Sequence, residues 1–233
     1  MTPGADKDEG IRLAKRVADV AACSRAEAER YIAGGWVSVD GVVAEDPATR
    51  VTPQQAVVLL PGATPVEPPP VTILLHKPSG VAAAAAIELI KPDSLVLENG
   101  RGKGFLRRHL FKLALATPLE TEASGLVVFS QDWRVLRKLV EDAPRNEAEY
   151  VVEVDGNPAE GGMERLNRQF RASWQSEARL RIAGKNIHPG QIARLLGDVG
   201  LTVRAMRRLR IGRIPMGSLP PGGWRYLRDV ERF

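Results

Sequence analysis

The sequence predicts an α+β protein in two parts, and three observations carry that reading. Helical periodicity and a serine–glutamate capping box open the chain and lead into a hairpin signal at Asp40-Gly41. A proline-rich stretch, Pro61 to Pro70, then interrupts all periodicity. Beyond it strand-like apolar runs dominate, so the second part reads as a mixed, mainly antiparallel sheet with flanking helices.

In the first part, Ile11 to Ala22 has a helical pattern, with Ile11, Val17, Ala18 and Ala21 toward one face. Ser24 followed by Glu27 starts a second helix over Arg25 to Ala33, and Gly34-Gly35 stops it. Trp36 to Val39 and Val42 to Ala44 read as strands joined at Asp40-Gly41, and Ala56 to Leu60 as one more. Four of the last six residues of the 61–70 stretch are proline, which makes it an extended, stiff linker. The expected organisation is a flexible tail at 1–10, one domain at 11–60, the linker at 61–70 and a second domain at 71–233.

After the linker, Val71 to Leu75 reads as a strand, Val81 to Ala86 is a nearly pure alanine run, and Gly100 to Gly104 is a basic loop. Trp133 to Asp142 is an amphipathic helix. Ala148 to Asp155 alternates as a strand. In Leu115-Ala-Thr-Pro-Leu-Glu120-Thr-Glu-Ala-Ser-Gly-Leu-Val-Val-Phe129, Glu120 precedes a turn of small residues that leads into a core strand. Such a turn can aim an acid into a cleft.

The chain has 233 residues and a net charge of +5, which suits a polyanionic partner. Arg165 to Arg213 holds twelve basic residues against Glu177 and Asp198, and arginine forks pair well with phosphate. One cysteine, Cys23, excludes an internal disulfide framework, suits a reducing cytoplasm and reads as a small core residue. The three histidines show no metal-ligand spacing. No apolar run approaches the ~20 residues that span a bilayer, and Met1 to Gly10 lacks the apolar stretch of a signal peptide.

Two resemblances sharpen this reading. Arg12-Leu, Lys15, Cys23-Ser-Arg25, Glu27-Ala, Ile32, Gly35 and Val37-x-Val-Asp-Gly41 resemble the small RNA-binding domain first known from ribosomal small-subunit protein four. That likeness implies RNA contacts from Arg12, Lys15, Arg25 and Arg30. The remainder is similar to the pseudouridine synthases that act on ribosomal RNA. The 115–129 segment follows their G-R-L-D-x-x-T/S-x-G-L motif, with Glu120 in place of the nucleophilic aspartate, Pro118 of the arginine and Thr117 of the glycine. Lys77 and Pro78 match their N-K-P-x-G, while His76 departs from it. Tyr150 matches the tyrosine that stacks on the flipped base.

Gly184-Lys185-Asn186 and Gln191-Ile-Ala-Arg194 resemble G-x-N-x-Q-V-R-R-M, with Ile187-His-Pro-Gly190 inserted and Ala193 where the family's carboxylate-pairing arginine stands. Arg210-Ile-Gly-Arg-Ile-Pro-Met-Gly-Ser-Leu219 and Gly223-Trp-Arg-Tyr-Leu227 match its closing strand and turn.

The resemblance implies isomerisation of uridine in structured RNA without cofactor or metal, and the protein is expected to be a monomer. Glu120 and Tyr150 would stand at the reaction, with Tyr150, Leu119, Leu126 and Ile211 walling the base. Lys77, Lys185, Arg194, Arg208 and Arg210 join the RNA-binding set, Lys77 also shaping the cleft. A non-catalytic RNA-binding relative, active in ribosome assembly, is the open alternative, because the reactive set differs at Glu120, Pro118 and Ala193.

Overall fold

The computed structural model describes residues 10–97, 104–142 and 145–233. The expected tail and the basic loop, apart from Gly10 and Gly104, lie outside the described residues. Two compact units form: residues up to Pro69 together with Leu106–Phe111, and Pro70–Phe105 together with Lys112–Phe233.

The first unit runs β1 (Ile11–Arg12), α1 (Leu13–Ala21), α2 (Arg25–Ala33), β2 (Val37–Val39), β3 (Val42–Val43), β4 (Arg50–Val51) and β5 (Val57–Leu59). Arg12 belongs to β1 and precedes the helix expected to contain it, because its φ of −62° and ψ of 137° are extended. The capping box forms: Glu27 N donates to Ser24 Oγ at 3.3 Å, and Ser24 N to Glu27 Oε2 at 2.9 Å. Asp40 and Gly41 both take positive φ, 51° and 82°, as the tight turn between β2 and β3 demands. The Asp40 carboxylate steadies that turn by accepting from Ala56 N and Gln55 Nε2, both at 2.9 Å.

Leu13, Ala14, Val17, Ala28, Ile32, Val37 and Val51 make the core, and half-buried Cys23 packs at its margin. A turn at Arg107–Leu110 completes the unit, where Arg107 N donates to Glu45 Oε2 at 2.6 Å.

The second unit holds β6 (Thr72–Lys77), β7 (Ala114–Leu115), β8 (Ser124–Ser130), α3 (Trp133–Val140), β9 (Glu147–Asp155), α4 (Gly162–Asn167), β10 (Arg171–Ser176), β11 (Arg179–Lys185), α5 (Gln191–Gly197), β12 (Thr202–Ile211), β13 (Ile214–Pro215) and β14 (Trp224–Tyr226). Its sheet is ordered β10-β11-β9-β12-β8-β6-β14, with β13 on β12 and β7 on β8. Every pairing is antiparallel except β12 with β8, so the sheet is mixed and mainly antiparallel, as expected. Leu74, Leu126, Val128, Leu139, Ile211, Ile214 and Leu219 form an apolar core.

The parallel pairing is short, Arg207 with Ser124 and Arg208 with Gly125. Gly125 has φ +117°, and a Cβ there would stand 2.3 Å from the Arg208 carbonyl oxygen, so only glycine lets the strands meet. Past this junction β12 and β8 part, and Ala116–Leu119 runs beside β8 instead. The site lies at that split.

Near the end of the chain, Glu231 accepts from Arg225 at 2.7 and 2.8 Å and from Arg228 at 2.8 Å. Burial pushes its carboxyl up, but the bonds from Arg225 and Arg228 outweigh burial and hold it at about 2. A lowered carboxyl stabilises the fold above its unfolded range near 4.5, and the contribution is lost as pH falls toward 2. In acid denaturation between pH 5 and 2, the wild type should therefore lose up to ~3 kcal/mol that Glu231→Gln lacks already at pH 5. Parallel pH profiles for the two proteins would contradict this.

Candidate active site

Glu120 sits on the turn between β7 and β8, and that turn is held from three sides. Arg208, only 5% exposed, donates from Nε to Leu126 O at 2.7 Å, from Nη1 to Pro118 O at 3.1 Å and from Nη2 to Thr117 O at 2.7 Å. Where β12 and β8 stop exchanging main-chain bonds, the guanidinium satisfies carbonyls that would otherwise be orphaned. Thr117 adds its hydroxyl, which accepts from Val128 N at 2.9 Å.

From β6 comes the second support. Lys77, fully buried, donates from Nζ to Pro78 O, Val81 O and Thr121 O at 3.0, 2.7 and 3.0 Å. Gly80 N also reaches Thr121 O, at 2.8 Å, and Ser79 Oγ reaches Glu122 O at 2.7 Å. Burial lowers the Lys77 ammonium's pKa, opposed by the nearby negative charges of Glu120 and Glu122.

The third contact falls on the carboxylate itself. Gly190 N donates to Glu120 Oε1 at 2.6 Å.

Beside this turn lies a cleft of about 440 Å³, within the usual range for small-molecule pockets. Thr117, Pro118, Tyr150, His188, Arg208 and Ile211 contribute to its wall. Tyr150 is 3% exposed, on β9 opposite Arg208. Leu119 and Leu126 are buried and do not line the cleft, so the expected apolar wall consists of Tyr150 and Ile211. His76 is buried too, its Nδ1 2.7 Å from Leu219 O. Burial lowers its pKa, the Leu219 bond acting against it.

Three of the residues expected to bind RNA do other work. Lys77 and Arg208 are buried with their donors on carbonyls, so they shape the turn and do not face a phosphate. Arg210 pairs with Glu147 at 2.7 Å and Glu149 at 3.0 Å, which neutralises it. Much of the arginine-rich segment shares that fate. Arg181 pairs with Glu149 at 2.5 Å, Arg179 with Glu153 at 2.7 Å, Arg171 with Glu147 and Arg204 with Asp155. Residues alternate across a strand, so the β9 carboxylates Glu147 and Glu149 lie on the sheet face opposite Tyr150. Lys185 and Arg194 remain exposed, with no ion pair among the described residues. In the first unit Arg12, Lys15, Arg25 and Arg30 are all exposed, Arg25 pairing with Glu29 at 3.0 Å.

Sequence reasoning missed the Gly190 contact and the supporting role of Arg208. The second had a signal: Arg207 and Arg208 are adjacent on a strand, so one of them must point inward.

Residues 11–57 match the S4 domain family. An RNA pseudouridine synthase of Mycobacterium bovis is 30% identical over 95% of this chain and 91% of its own length. The chain belongs to the RNA pseudouridine synthase family. Within that family, the ribosomal small subunit pseudouridine synthase A of Pseudomonas aeruginosa is 28% identical over 95% of this chain and 98% of that protein. A crystal structure of a pseudouridylate synthase shares the fold, with a TM-score of 0.58 at 16% identity, over 94% of this chain and 97% of that one. The cleft beside Glu120 is thus the candidate active site of an RNA pseudouridine synthase family member.

Proposed function

We propose that the chain converts uridine to pseudouridine in ribosomal RNA, with Glu120 as the reactive carboxylate. The observation that carries this reading is the Glu120 carboxylate, anchored on a braced turn next to a cleft that Thr117, Pro118 and Tyr150 line. In the reaction the target nucleotide leaves its stack and enters the cleft. The bond from C1′ to N1 breaks, the uracil turns while held against Tyr150 and Ile211, and C5 joins C1′. The C5 proton is lost and N1 gains one, so the product is an isomer. The protein supplies the carboxylate and the apolar wall. Ribosomal RNA as the substrate is supported by the name of the Pseudomonas aeruginosa relative. Base-resolution pseudouridine detection on unmodified ribosomal RNA incubated with the protein tests the reading. A new pseudouridine at one site is the expected result, and none on either subunit's RNA would reject it.

One observation favours a second reading. Glu120 has no arginine or lysine in ion-pair contact among the described residues, and Ala193 is uncharged. A protein that binds ribosomal RNA without modifying it would need no such partner. Unchanged modification with altered subunit assembly in cells lacking the chain would select it.

Both readings require RNA binding by the S4 domain. Arg12, Lys15 and Arg25 changed together to alanine should weaken RNA binding by about tenfold or more and flatten its salt dependence, since each phosphate contact releases counterions. These side chains are exposed, so circular dichroism should remain native. A folded triple variant with wild-type affinity and salt slope would show that RNA binds elsewhere.

A further inference from the structure

The half-buried carboxylate of Glu120 needs something to set its direction. Its partner is the Gly190 N–H, 2.6 Å from Oε1. Lys77 and Arg208, the buried cations that hold its turn, spend their donors on main-chain carbonyls and make no ion pair with it.

Gly190 ends the turn Ile187-His188-Pro189-Gly190 and has φ +79°. A Cβ there would meet nothing within 4 Å, so backbone conformation, and not crowding, calls for glycine. The same turn contributes Ile187, His188 and Pro189 to the cleft wall. One short segment therefore builds part of the wall and grips the acid beside it.

Side-chain length matters to this grip. An aspartate at 120 would end ~1.5 Å further back, and a 2.6 Å contact lengthened by that much is no longer a hydrogen bond. We propose that the 187–190 turn is a positioning element matched to glutamate at position 120. In this pairing the Gly190 N–H fixes the carboxylate beside the cleft, between the Thr117-Pro118 and Ile187–Pro189 segments that line it. Of the two acidic side chains, only glutamate has the reach to close the contact.

The inference rests on Glu120 being the reactive carboxylate, and the test separates the two. The full-length protein is labelled with ¹⁵N-glycine, and the Gly190 amide is followed in the wild type, Glu120→Gln, Glu120→Asp and Glu120→Ala. Turnover on ribosomal RNA is measured for the same proteins. The Gly190 amide proton should lie downfield and exchange slowly in the wild type. Glu120→Gln should keep part of that protection, while Glu120→Asp should match Glu120→Ala. Because a shift of ~1 Å can cost 10²-fold in rate, Glu120→Asp should turn over ~10²-fold more slowly than the wild type.

An aspartate variant as fast as the wild type, or a Gly190 amide that Glu120→Ala leaves unmoved, would overturn the pairing. A wild type without turnover would overturn the catalytic reading instead, and the amide would still decide the contact.

Discussion

Glu120→Gln is expected to lower pseudouridine formation on the order of 10⁴-fold, the scale of loss when a reactive group is removed, while RNA affinity changes by less than about tenfold. The two side chains have nearly the same volume, and the amide oxygen can still accept from Gly190 N. The braces on the turn, Arg208 and Lys77, touch its main chain and not the Glu120 side chain, so the turn should keep its shape. What disappears is the negative charge that the proposed chemistry needs. Single-turnover assays on unmodified ribosomal RNA, with binding measured on the same transcript, separate these effects. Turnover that survives the change would move the reaction to another acid. Glu122, exposed two residues on, is the nearest candidate.

Arg208→Met should destabilise the second unit by ~3–5 kcal/mol and abolish turnover. The variant leaves the carbonyls of Leu126, Thr117 and Pro118 without their donor, at about 1–3 kcal/mol for each buried one. Arg208→Lys should rescue little. An ammonium donates from a single point and cannot reach the Leu126, Pro118 and Thr117 carbonyls from the separate positions that Nε, Nη1 and Nη2 occupy. Thermal denaturation, turnover and RNA affinity together decide what Arg208 does. If the melting temperature held while RNA affinity fell, Arg208 would be a phosphate contact after all, and the turn would have another support.

The comparison of Arg208 with Arg194 shows where sequence reading stops. Both lie in the arginine-rich segment, and composition assigns both to RNA. One is buried under the Glu120 turn and the other is exposed on α5. Net charge counts residues, but burial and pairing decide which charges a ligand meets. The carboxylates of β9 are spread along the sequence as ordinary strand residues. Only the sheet order brings them beside Arg171, Arg181 and Arg210, where they cancel.

Local rules were sufficient where partners are near in sequence. The Ser24 capping box, the Asp40-Gly41 turn, α3 starting at Trp133 and the strand around Tyr150 depend on contacts over a few residues, and their patterns are written in the chain. The motif around Glu120 also gave the small-residue turn that leads into the buried strand β8. The tertiary structure alone decided why Gly125 must be glycine, since the atom it would strike belongs to Arg208, far along the chain. It also decided what holds Glu120, because Gly190 lies 70 residues away. A turn's conformation follows from its own residues, whereas the partner of a side chain follows from which distant strands the core draws together.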